Sequence, residues 1–174
     1  MKKKIISTLL VVGLMLGCMS LTGYVGATEE PLGILAISRT HGFAVARVGE
    51  NESVRMPVHM VLRGVLFRPV KTENITIGRF AIKDGILAIN ETKYNITKGM
   101  GVLILERHDL MLTVNGTSPS GENFRMRLWG KWFNTPNGTI LIRNMTGPLI
   151  FESESKLLFL GGAVLPKPPL LQIP

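Results

Sequence analysis

The residues best placed to do chemistry in this chain are asparagines. Seven of the nine open an Asn-X-Ser/Thr triplet, namely Asn51, Asn74, Asn90, Asn95, Asn115, Asn137 and Asn144, and only Asn123 and Asn134 do not. In such a triplet the amide nitrogen is the acceptor for a glycan on an exported protein. With Ser plus Thr at roughly one residue in eight, about one triplet would arise by chance among the asparagines. Asn115-Gly116 and Asn137-Gly138 also match the preferred dipeptide of a type I′ hairpin turn, with Thr following as a strand former. The other five carry Glu, Ile or Met in the middle, so turn chemistry does not account for them. The triplets predict an N-glycosylated chain, with Asn90, Asn115 and Asn137 at turns and most readily modified because the transferase needs exposed backbone.

Other chemistry is thin. Nucleophilic catalysis needs a Ser or Cys beside a positioned base, yet there is no Gly-X-Ser-X-Gly elbow and Cys18 is the single cysteine. Glycan hydrolysis needs two carboxylates across a cleft, whereas Glu106, Asp109, Glu122, Glu152 and Glu154 mostly fall at predicted turns and read as solvated loop charges. The histidines are His41, His59 and His108, spaced neither as a His-X-His strand pair nor as a helical pair, so a metal site would have to be assembled by the fold. Gly99-Met100-Gly101 reads as a turn rather than a nucleotide fingerprint, since Ile104 stands where a third glycine is needed. The expectation is no catalytic residues, no cofactor and no metal.

One stretch could bind. From Asn123 to Phe133, Phe124, Met126 and Leu128 alternate with Arg125, Arg127, Trp129 and Lys131. A tryptophan interleaved with three cations is a platform for an acidic polymer or anionic headgroups; it is also what an ordinary solvent face of a half-buried sheet looks like. Arg55, His59 and Arg63 similarly oppose the apolar side of Val54 to Arg63.

These side chains need elements to hold them. Lys2-Lys3-Lys4, an apolar run from Ile5 to about Leu16, and Val25-Gly26-Ala27 form a secretory signal in order and proportion, predicting a mature start near Thr28. Lipid attachment at Cys18 and retention of Ile5 to Tyr24 as a membrane anchor are the alternatives. Removing 27 of 174 residues leaves 147, enough for one domain, and removing three of 20 basic residues leaves 17 against 12 acidic, a net charge of +5. The mature part has no disulfide, so its core alone must hold it, and export without disulfides leans toward a prokaryotic, and with these triplets an archaeal, envelope.

Residues 28–164 read as a single all-β domain, because the dominant period is two with turn signals every eight to twelve residues. Predicted strands are Leu32 to Ser38, Phe43 to Val48, Val54 to Phe67, Asn74 to Lys83, Ile86 to Asn90, Gly101 to Glu106, Leu110 to Val114, Asn123 to Phe133, Ile140 to Arg143, Leu149 to Glu152 and Lys156 to Val164. Asp84-Gly85 between two apolar runs predicts a type I′ hairpin. Apolar residues switch parity at Gly64 and at Gly78, with Gly130 a third case, predicting glycine bends that turn strands between sheets or around a barrel corner. The fold class is therefore a compact antiparallel β-sandwich or small β-barrel with glycine-bent strands. Gly78-Arg79-Phe80, Asp84-Gly85 and Asn90 recur as Gly130-Lys131-Trp132, Asn137-Gly138 and Asn144, a weak repeat that fits a duplicated β-meander. Residues 165–174 carry Pro166, Pro168, Pro169 and Pro174 and read as an extended tail.

Together these features predict an exported, glycosylated cell-envelope protein, extracellular or on the cell surface, with a structural or interaction role. Its partners would be an envelope polymer, an anionic lipid surface or another surface protein, and not nucleic acid. The alternative is a barrel carrying a small apolar ligand or lipid, which an interior cavity of about 300 Å³ or more would favour.

Overall fold

The computed structural model describes residues 31–48, 52–135, 139–161 and 163–166. The expected leader with Cys18, the acceptors Asn51 and Asn137, and the tail beyond Pro166 lie outside them. The strands are β1 (Gly33–Arg47), β2 (Ser53–Leu66), β3 (Val70–Lys71), β4 (Thr76–Ile89), β5 (Thr92–Ile104), β6 (Asp109–Thr117), β7 (Asn123–Asn134), β8 (Thr139–Phe151), β9 (Ser155–Gly161) and β10 (Ala163–Pro166).

Eight of them, β1-β2-β4-β5-β6-β7-β8-β9, pair antiparallel in that order, and β9 returns to pair with β1, closing a barrel. Two short strands lie outside the ring. β3 pairs with the start of β4, and β10 continues the register of β9 against both β1 and β8, ending with Pro166 opposite Thr139. Of the two architectures the period-two pattern allows, the chain thus adopts the barrel, in which closure leaves no open edge among the eight strands.

Alternation drives the closure. β6 shows it most simply: Leu110, Leu112, Val114 and Gly116 are buried while Asp109, Met111, Thr113 and Asn115 face out. Every strand of the ring sends such a row inward, and the interior of an eight-strand barrel is just wide enough for those side chains to fill. Leu62, Leu87, Leu112, Met126 and Leu158 are among the deepest, each contributing roughly 1.5 to 3 kcal/mol by leaving water. Aromatic rings close the gaps: Phe80 lies over its cross-strand partner Gly101, and Phe124 over Gly116, where a Cβ would overlap the rings.

Several local expectations are overturned. Asp84-Gly85 does not form a hairpin; β4 runs through it, held by β2 on one side and β5 on the other, and Asp84 forms an ion pair with Arg63 at 2.7 Å. The hairpin turn comes six residues later at Asn90-Glu91, whose φ angles of 47° and 72° supply both positive positions of a type I′ turn. Asn115-Gly116 and Gly99-Met100-Gly101 are likewise within strands, not at turns. Local turn preference at these sites is outweighed by ladders on both sides.

The glycines do not flip their own strands. Even positions stay inward through Gly64 in β2 and through Gly130 in β7, Ile77 faces outward, and no irregularity occurs at Gly78. The inserted residues lie across the ladder instead: Lys83 in β4 beside Gly64, Thr97 in β5 beside Gly116, and Asn144 in β8, at φ 53°, facing Gly130. An inserted residue pushes its backbone toward the neighbour. A Cβ on Gly64 would sit 2.0 Å from the Ala81 carbonyl oxygen, and one on Gly116 2.1 Å from that of Asn95. A fourth insertion, Ser38-Arg39 in β1, faces Val61. The repeat has no structural counterpart: residues 78–90 are one strand and its turn, whereas 130–144 end β7 and begin β8.

Candidate functional site

β7 is oriented as its alternation predicts. Phe124, Met126 and Leu128 are buried, and Arg125, Arg127, Trp129 and Lys131 lie on the outside. The four are not equivalent. Lys131 is engaged by Asp109 and by the Arg107 carbonyl, and Arg125 Nε donates to Asn115 Oδ1 at 3.2 Å. Arg127 has no acceptor among the described residues. Trp129 is 37% exposed, with one edge of the indole against Gly147 of β8.

The wall beyond β7 carries features the sequence did not reveal. Reading across the ladder, Trp129 is opposite Thr146, Thr146 opposite Phe159, Phe159 opposite Phe43, and Phe43 opposite Pro57. Phe43 and Phe159 stack with centroids 4.9 Å apart, and the Arg55 guanidinium lies 5.0 Å from the Phe43 ring centroid. The adjoining row is Pro148, Leu157, Val45 and Arg55. An open depression of about 460 Å³ interrupts it, lined by Val45, Arg47, Glu52, Pro148, Lys156 and Leu157. The insertion in β8 hid this surface: it splits one strand into two short apolar runs of different parity, so no alternation spans residues 139–151.

The barrel ends hold the carboxylates expected to be solvated. At the Asn90 end, Glu122 Oε1 accepts from the Ser153 amide at 2.8 Å and its hydroxyl at 2.7 Å, which lowers the Glu122 pKa. Lys156 points inward from β9 with its side chain only 8% exposed, pairs with Glu154, and lies 4.9 Å from the Phe151 ring centroid. Burial lowers its pKa, and the Glu122 charge opposes that shift. Tyr94 beside them is raised by burial and by the same carboxylate. At the other end both Glu106 oxygens accept from the Thr76 amide, at 2.8 and 2.9 Å, and the Glu106 pKa is lowered. These acids hold backbone donors at strand ends rather than facing one another across a cleft.

Among the described acceptors, Asn74, Asn90, Asn95 and Asn144 are exposed and Asn115 is half-buried on the outer wall. The histidines separate into two places. His41 and His59 are direct cross-strand partners with Nδ1 atoms 2.9 Å apart, while His108 packs against Trp132 and Phe133 at the other end. Among the described residues no group of three or more His, Cys, Asp or Glu could hold a metal ion. Comparison of the chain with family models and curated proteins, and of its fold with solved structures, finds no match.

Proposed function

We propose that this chain is an exported, N-glycosylated envelope protein without enzymatic activity. Its barrel is a rigid support for a binding face that runs from β7 across β8 and β9 to β1 and takes an anionic envelope polymer. The observation that carries the reading is the cross-barrel row from Trp129 through Phe159 to Phe43, edged by Arg127 and Arg55. Aromatic rings offer stacking surface to sugars, and the guanidinium groups supply charge for acidic substituents. The rows of Leu, Ile, Met and Phe side chains turned into the ring support this reading over a carrier, which needs that interior for its ligand. The polarity of the wall also favours a watery setting. A membrane-spanning barrel is apolar outside and polar within, whereas here the interior is apolar and Arg55, Arg63, Asn95, Thr113, Arg125 and Arg127 face out.

The test is binding of a sulfated polysaccharide and of isolated envelope material across a salt series. Affinity should fall as salt rises, since exposed charges are screened within about 8 Å at physiological ionic strength. Arg127→Ser and Trp129→Ala should each weaken binding by about fivefold with unchanged melting. Lys98→Ser, on β5 on the opposite side of the ring, should leave it unaltered. Equal binding by all three variants would refute the face.

A further inference from the structure

We propose that His41 and His59 form a two-ligand chelate for divalent copper on the outer wall of the barrel, beside the Phe43 end of the polymer-binding face.

The pair exists because of the insertion in β1. Before it, Leu35 and Ile37 point inward on odd positions; after it, Thr40 and Ala44 do so on even ones. Without the extra residue His41 would face the core. With it, His41 emerges directly opposite His59, an instance of a bulge re-aiming a side chain. Thr40 locks the arrangement. Its hydroxyl, fully buried, donates to the Met60 carbonyl at 2.6 Å and accepts from the Met60 amide at 2.8 Å, tying the residue before His41 to the residue after His59. Both imidazoles are exposed on a backbone that cannot readily slide, and their rings meet edge to face with centroids 4.9 Å apart.

The nitrogen spacing lets both rings reach one ion, and the ligand type favours copper. Two nitrogens about 2.05 Å from an ion and 2.9 Å apart subtend about 90°, the angle between neighbouring positions of a tetragonal site; a tetrahedral ion would need them about 3.3 Å apart. Nitrogen ligands in tetragonal geometry suit Cu²⁺, which also binds most tightly among the divalent ions of its row. The metal-free contact requires one Nδ1 to carry a proton and the other to accept it. The ion takes the place of that shared proton, and both rings then hold their proton on Nε2. Among the described side chains, the nearby guanidinium groups are engaged elsewhere, Arg63 with Asp84 and Arg55 with Phe43. The remaining coordination positions open to solvent and are filled by water.

Titration of the untagged, chelator-treated full chain with Cu²⁺, followed by calorimetry and electron paramagnetic resonance, tests the proposal. One ion per chain with an axial, two-nitrogen spectrum is expected. His41→Ala and His59→Ala should each abolish that spectrum, and His108→Ala should retain it. Thr40→Val, with folding checked by melting, should weaken binding although both imidazoles remain. Absence of saturable copper binding by the native chain, or an unchanged spectrum in the His41→Ala/His59→Ala double variant, would overturn it.

Discussion

Two arcs of the barrel wall share one interior and differ outside. On β4, β5 and β6, the outer surface and its turns carry the acceptors Asn90, Asn95 and Asn115, with single exposed aliphatic residues such as Ile86 and Met100 between them. Around β7, β8, β9 and β1, across the ring from β5, lie Trp129, Phe133, Phe159 and Phe43; among the described residues no other Phe, Tyr or Trp faces outward from a strand of the ring. Asn144 on β8 is the one described acceptor within the aromatic arc. Inward rows of Leu, Ile, Val, Met and aromatic residues line both arcs alike, so closing the barrel does not require either outer surface. The aromatic row adds cross-strand contacts such as the Phe43–Phe159 stack on top of that shared interior.

The comparison can be broken at its shared interior first. Leu87 in β4 and Leu158 in β9 are both fully buried, one in each arc. Leu87→Ala and Leu158→Ala should each lose about 2 to 5 kcal/mol in denaturant unfolding, a loss of the same size on the two sides. A much smaller loss in the aromatic arc would mean that its interior is loosely filled and would revive the carrier.

A smaller effect sharpens the role of two glycines outside the aromatic arc, on β2 and β4. Gly64→Ala places a methyl group against the Ala81 carbonyl and should destabilise by roughly 1 to 3 kcal/mol. At Gly78 a new methyl group would meet only the Leu103 and Leu105 side chains, at 3.4 Å and beyond, so Gly78→Ala should stay within about 0.5 kcal/mol in the same unfolding measurement. The parity pattern alone predicts a bend at Gly78 and therefore a large penalty there.

The smallest expected effect is on acid stability, with one carboxylate serving each arc. Glu106 holds the start of β4 and Glu122 the turn between β8 and β9, and folding lowers the pKa of both. The ionised form is favoured by folding, so this contribution is present above the ordinary carboxylate pKa of about 4.3 and is lost as pH falls through the lower folded values. Melting followed from pH 6 to pH 2 should show a decline that Glu106→Gln and Glu122→Gln each make shallower, to a similar extent.

Much of the fold was legible from residues 31–166. β2, β6 and β7 contain no inserted residue and were each read as one strand, within a residue of their bounds except at the end of β6, where Asn115-Gly116 suggested a turn. β1, β4 and β8 were each read as two strands, and all three contain an inserted residue that changes parity midway. A break in parity looks the same in sequence whether the chain turns back or merely bulges. At Asp84-Gly85 the favoured turn dipeptide tipped the reading toward a hairpin. Nothing local announced Asn90-Glu91 as the true turn, since Glu rarely takes positive φ. Of the proposed binding face, Arg125, Arg127, Trp129 and Lys131 were visible because they lie on one strand. Phe43 and Phe159 stand 116 positions apart in the chain, and only closure of the ring between β9 and β1 stacks them.

By itself, the sequence determined which side of each uninterrupted strand is buried, because period-two burial is set by residue type along a short segment. It also determined the supply of Asn-X-Ser/Thr triplets and, with Cys18 the single cysteine, the lack of any intrachain disulfide. Tertiary structure decided barrel over sandwich, the place of every insertion, the division of the wall into two arcs, and the meeting of His41 with His59. Those depend on which strands become neighbours and in what register, and pairing across long separations is settled by the closed ladder as a whole rather than by any segment of it.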